Sequence, residues 1–291
     1  MKLIVTRTAG IILALAVAMG LVACSAIKLG YSTLPDLAYW WLDGYVDFNE
    51  AQEPLARQEL TRLHAWHRQQ ELPKLGELLQ RLEQMTPGSI SAPQACAVVS
   101  EVQARMDVVA ARAEPAIVGL ATLLTPKQLR HLERKYRSNN EAYRKEWIDL
   151  PVAERKDKRY EQALERIETI YGSLDAPQRA VLRQGIAQSM FEPQRILGER
   201  QRRQQDLLQT LRKMADPANS TDTGRQLLRA YLDRVVHSPD AAYRAWQEAL
   251  VQEGCRIFSA VHESTTAAQR QQAVRRLRAY QRDLRELSGT H

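Results

Sequence analysis

The chain is poor in residues that break helices, with 13 glycines and 12 prolines in 291 positions. It shows no sustained apolar–polar alternation bounded by hairpin turns, which leaves little room for sheet. The short patterns of common chemistries are missing: there is no GxSxG, HExxH, P-loop or GxGxxG. The six histidines are scattered, and His262–Glu263 lacks a second histidine four residues on. Three cysteines occur without a CxxC, which argues against a thiol redox centre. These absences point to a non-catalytic protein with no metal and no cofactor.

What is there begins at the amino terminus. Lys2 and Arg7 precede "AGIILALAVAMG", an apolar core from Ala9 to Gly20 that is too short to span a bilayer, which takes about 20 residues. A basic start and a short apolar core read as a secretory signal over residues 1–23. The core ends in "LVAC", Leu21 to Cys24, which resembles the bacterial lipobox. That resemblance implies a diacylglycerol on Cys24, a further acyl chain on its amino group, and stable membrane attachment. Ser25, in place of aspartate, points to the outer membrane and its periplasmic face. Residues 24–34 then serve as anchor and short tether. Loss of the leader with Lys2 and Arg7 lowers the formal charge from +7 to +5. Basic and acidic residues alternate along the chain, so a solvated helical surface is expected and nucleic acid is not a partner.

Runs of 15 to 30 residues carry helical periodicity. The clearest is Val99, Val102, Met106, Val109, Ala113, Ala116, Leu120 and Leu123, spaced three and four apart as a buried helix seam requires. Leu72, Leu75, Leu79 and Leu82 repeat the pattern. The chain reads as all-α, a multi-helix bundle of long antiparallel helices kinked at prolines. Helices are expected near 35–47, 50–86, 93–123, 126–149, 152–172, 176–214, 223–237, 239–263 and 267–287. Pro73, Pro115 and Pro193 should kink or break them. Residues 35–291 form one domain, with a possible internal boundary at the loop 215–224.

Five helix starts share a pattern: "SAPQ" at Ser91, "TPKQ" at Thr125, "DAPQ" at Asp175, "TGRQ" at Thr223 and "TAAQ" at Thr266. Each sets a capping residue three before a glutamine, and the two can satisfy each other's helix-end amides. "LTPKQ", Leu124 to Gln128, also resembles the LTxxQ motif of the Spy and CpxP periplasmic chaperones, with "LDAPQ" at Leu174 to Gln178 an imperfect copy. That resemblance implies a helical cradle for unfolded clients.

With Cys24 assigned to lipid, Cys96 and Cys255 are left as a pair in an oxidising compartment, where disulfides persist. The stretch "HAWHRQQELP" sets Trp66, His67, Arg68 and Glu71 near the aromatic "YWWLDGYVD", which offers Trp40, Trp41, Asp43 and Asp47. His64 and His67 share a helix side but lack the further ligands a closed metal site needs. We read the two stretches as a structural latch, carboxylates of the first helix satisfying His67 or Arg68, with a ligand groove as the other reading.

"LGY" at Leu29 to Tyr31, "YWWLDGYVD", "WHR" with "ELP", Cys255 and the terminal "LRAYQRDLREL" together resemble a family of uncharacterised proteobacterial lipoproteins. This implies a lipid-anchored helical envelope protein and supplies no catalytic residues. The function expected is a structural or protein-interaction role, its partner another envelope protein. The alternatives are client-binding chaperone and, more distantly, envelope-polymer hydrolase.

Overall fold

The computed structural model describes residues 28–289. The expected signal peptide and Cys24 lie outside the described residues. Among the described residues there is no strand, and the fold is an all-α multi-helix bundle. A helical turn at 28–32 leads into α1 (Leu34–Val46), followed by α2 (Glu53–Gln70), α3 (Leu72–Met85) and α4 (Ala92–Ala121). Then come α5 (Pro126–Tyr143), extended by one π-helical turn (Arg144–Ile148), α6 (Val152–Tyr171), α7 (Ala176–Ala187) and α8 (Pro193–Met214). The last are α9 (Thr221–Val236), α10 (Ala241–Ser264) and α11 (Ala267–Ser288).

Prolines divide two of the expected helices and spare a third. The 50–86 run breaks at Glu71, so that Pro73 stands in the first turn of α3, and the 176–214 run breaks ahead of Pro193, the first residue of α8. A first-turn proline surrenders an amide that has no intrahelical partner anyway. Pro115 stays inside the 30 residues of α4. The expected boundary at 215–224 is a short turn at 215–220, and α8 and α9 pack together across it through Leu208, Leu211, Met214 and Leu228.

Four of the five expected capping boxes form, at Ser91, Thr125, Asp175 and Thr266. The fifth does not: Ser220 caps α9 by accepting from the Thr223 amide, which puts the "TGRQ" segment inside the helix. Asn49 and Gln52 make an equivalent exchange of backbone and side-chain bonds before α2.

These boxes interlock in pairs. Gln128 Nε2 donates to the carbonyl of Asp47, two residues before Asn49, at 3.0 Å, and to Gln52 Oε1 at 2.6 Å. Gln52 Nε2 returns a bond to the carbonyl of Leu123, two residues before Thr125, at 2.7 Å. The same reciprocal lock recurs at the opposite pole. Gln178 Nε2 donates to the Ser264 carbonyl at 2.9 Å, two before Thr266, and Gln269 Nε2 to the Ser173 carbonyl at 2.9 Å, two before Asp175. The packing around each lock matches: α1 meets α2 and α5, and α2 meets α4, just as α6 meets α7 and α11, and α7 meets α10. One four-helix arrangement therefore occurs twice.

Each pole has its own core. Val118, Ala121, Leu129, Leu132, Leu208, Leu211, Met214 and Leu228 fill the first, and Tyr160, Leu164, Leu174, Leu182, Ile186 and Val261 the second. At the second, α7 and α10 approach so closely at Gly185 that an added Cβ would lie 2.8 Å from Ile257 Cγ1. Helix α4, some 45 Å long at 1.5 Å per residue, joins the two. Its carboxy-terminal end meets α9, where Arg229 holds Glu114 at 2.8 and 2.9 Å. Its amino-terminal end meets α10, where Cys96 and Cys255 form a disulfide with Cα atoms 5.5 Å apart. Helices α9 and α10 thus run one after the other along α4, in the opposite direction. Helices α3 and α11 pair beside them.

Candidate functional site

The aromatic and histidine stretches come near each other in a different way from the latch expected. Tyr39 is the residue of α1 that turns inward, buried beneath the guanidinium of Arg57 at 3.7 Å. A helix turns about 100° per residue, so the next two residues turn away from it, and Trp40 and Trp41 are 69% and 63% exposed. The carboxylates are committed locally. Asp43 Oδ1 accepts from the Phe48 amide at 2.9 Å, and Asp47, in the left-handed conformation that ends α1, points its carboxylate toward Lys127 at 4.0 Å.

The histidines find another partner. His64 Nε2 donates to the Tyr31 carbonyl at 3.0 Å, and the Tyr31 hydroxyl lies 2.9 Å from His67 Nδ1. Burial lowers the pKa of both imidazoles, and it pushes the Tyr31 phenol up to about 12. Arg68 donates to the Leu287 carbonyl of α11 in place of an α1 carboxylate. Glu71, buried, pairs with Lys74 at 2.8 Å and faces Arg105 at 3.6 Å. Trp66 is half-buried, with Arg112 5.9 Å from its ring. Helix α1 thus packs on α2 as expected, but Tyr31 and Leu287, in place of α1 carboxylates, hold His67 and Arg68, and the added device is a staple of the 28–32 turn onto α2. Lys28 extends it by ion-pairing with Glu286 and Asp283 of α11.

An open apolar feature lies at the middle of α4. Its two ends are buried, through Ala95 and Cys96 and through Val118 and Ala121. The expected seam is not the buried stripe: none of its eight residues is fully buried, and the buried stripe runs instead through Cys96, Glu114, Val118 and Ala121. Val99 and Val102 are exposed, and Met106 is 64% exposed. Helices α9 and α10 meet there at the turn 237–240, so a gap opens where neither covers α4 fully. Two grooves flank it. One of about 840 Å³ is lined by Met106, Ala110, Pro115, Leu232, Val235 and Val236. The other, about 470 Å³ and almost wholly apolar, is lined by Leu82, Ile90, Val98, Val99, Val251 and Phe258. Val102 lies one turn from each, which makes an apolar strip along α4. Arg229 with Glu114, and His237 with Asp233 at 2.9 Å, form a polar rim.

Buried carboxylates elsewhere have partners of their own. Glu199 bonds Arg202, Arg203 and the Ser238 hydroxyl, and Glu253 accepts from Ser189 and the Met190 amide. Burial raises the Glu199 pKa, but its two arginines and Ser238 outweigh that and hold it near 2. His262, wholly buried, lies 2.8 Å from the Tyr171 hydroxyl and donates to the Gly88 carbonyl at 2.8 Å. Among the described residues no three histidine, cysteine or acidic side chains are placed to hold a metal, and no helix is long and apolar enough to cross a membrane.

Sequence reasoning missed the Tyr31 staple and the open middle of α4. "LGY" was visible at 29–31, but nothing local tied it to histidines more than 30 residues on. No curated protein and no solved structure matches the chain. A family model, described as a family of unknown function, matches residues 44–233, from the end of α1 through most of α9. That span takes in the lock between Gln52 and Gln128 and the whole of the α4 strip, and with nearly two thirds of its length so matched the chain belongs to the DUF6279 family.

Proposed function

We propose that this protein is a lipid-anchored, non-catalytic lipoprotein of the cell envelope. Its body, on the periplasmic face of the outer membrane, receives an apolar segment of another envelope protein along α4. The observation that carries the reading is the strip Val99–Val102–Met106, apolar, open and flanked by two grooves. Contiguous exposed apolar surface with a polar rim is what interaction sites present. Its three- and four-residue spacing matches that of an amphipathic helix, whose anchors recur every three or four residues. The anchor rests on "LVAC" and Cys24.

A chaperone reading draws on the same strip. It draws nothing from "LTPKQ", because Gln128 is only 5% exposed and its amide is spent on Asp47 and Gln52.

A photo-crosslinking residue at Met106 or Val236, activated in the native envelope and followed by mass spectrometry, separates the readings. One recurrent partner is expected. A broad set of unrelated proteins would favour the chaperone, and no adduct at either position would remove both.

A further inference from the structure

The geometry points to a second contact with the membrane: the outward stripe of the 28–46 helical segment is a seat for a phospholipid surface. This rests on the lipid anchor at Cys24 proposed above. Thr33 N bonds Leu29 O at 3.0 Å and Leu37 N bonds Thr33 O at 3.1 Å, so the ladder runs from the 28–32 turn into α1 almost without a break. On this near-continuous helix Leu29, Leu37 and Trp40 fall on one side, with Leu34 and Trp41 on its edge. All five are exposed. Leucine and tryptophan on one face, with the inward face packed, is the pattern of a helix lying in a membrane interface, where indole rings settle at headgroup level.

The chain leading to this helix says what covers it. Three residues separate Cys24 from Lys28, so the four steps between them span no more than about 14 Å when fully extended. Lys28 and Tyr31 are fixed to α11 and α2, so the body cannot swing away from an anchored Cys24. From Lys28 to Trp41 the helix covers about 20 Å. Lipid at one end and two indoles at the other give two points of attachment, and the helix between them lies along the surface. The charges nearby permit it. Asp36 is paired with Arg57 at 3.1 Å, and beyond the far end Asp47 is paired with Lys127 at 4.0 Å. Trp41 is backed by Tyr45 at 4.8 Å between ring centroids, and the Tyr45 hydroxyl accepts from Asn139 at 2.7 Å.

The test uses the full chain produced in its own envelope, purified in detergent and reconstituted into phosphatidylcholine vesicles with and without brominated acyl chains. Bromine quenches indoles at membrane depth. Quenching is expected, and it should be lost when Trp40→Ser and Trp41→Ser are combined, while the other three of the five tryptophans stay unquenched. Intact mass of the amino-terminal peptide, on the same sample, reads the anchor separately. Lipid on Cys24 with no quenching, as a protein partner over α1 would give, overturns the seat and leaves the anchor standing. Quenching without lipid removes the anchor and upholds the seat. Neither lipid nor quenching removes both.

Discussion

His262 is the most enclosed titratable group of the second pole, and its imidazole is neutral there because burial lowers its pKa. With Nε2–H donating to Gly88, Nδ1 accepts from Tyr171, whose own pKa burial pushes up to about 12. A base with a lowered folded pKa binds its proton more readily when the chain is unfolded. Its contribution to stability is therefore full above about pH 6.5 and is lost as pH falls through that value toward the folded pKa. His64 and His67 carry the same sign. Glu199 acts in a lower window: its stabilisation is present above the ordinary carboxylate pKa and is lost between about 4.5 and 2. We expect the melting temperature to fall in two steps on acidification. His262→Gln should shrink the first and leave the second. Two unchanged steps in that variant would show that His262 does not titrate on unfolding.

At the scale of elements, the two glutamine locks invite a matched pair of substitutions. Gln128→Ala strips a buried amide from the Asp47 carbonyl and from Gln52 and also removes half of a capping box. Each orphaned buried group costs about 1–3 kcal/mol, so a loss of roughly 2–4 kcal/mol is expected in denaturant unfolding. Gln178→Ala should cost about as much, since its partners at Ser264 and Gln269 are equivalent. A Gln128→Ala protein as stable as wild type would return "LTPKQ" to a client-facing role. These elements also mark what the sequence made legible. Helix starts at Ser91, Thr125, Asp175 and Thr266 were readable because a cap and its glutamine are local. The locks were not, because each needs two loops some 70 to 90 residues apart to meet. The seam from Val99 to Leu123 did not mark the buried face of α4: Val99, Val102, Met106 and Leu123 are exposed, and Cys96, Val118 and Ala121 are the buried residues. Periodicity cannot tell whether anything covers such a face, and α9 and α10 leave its middle open. Trp40 and Trp41 misled for a related reason: of the three consecutive aromatics only Tyr39 is buried.

For the whole molecule, the disulfide spans a sequence separation of 159. Cross-linking a loop of that length removes unfolded-state entropy worth about 5 kcal/mol in the loop-closure model, less any native strain. Replacing both cysteines by alanine should lower the urea midpoint substantially. An unchanged midpoint would mean that the unfolded chain is already held compact. One consequence of the Tyr31 staple lies in mechanics. A pull entering at the amino end does not peel α1 from its neighbours one turn at a time. Tyr31 passes it to α2 through two histidines, and Lys28 passes it to α11, near the opposite end of the chain. The load is shared by both termini at once, in parallel, and the first structure to yield is that junction, with both cores still intact behind it.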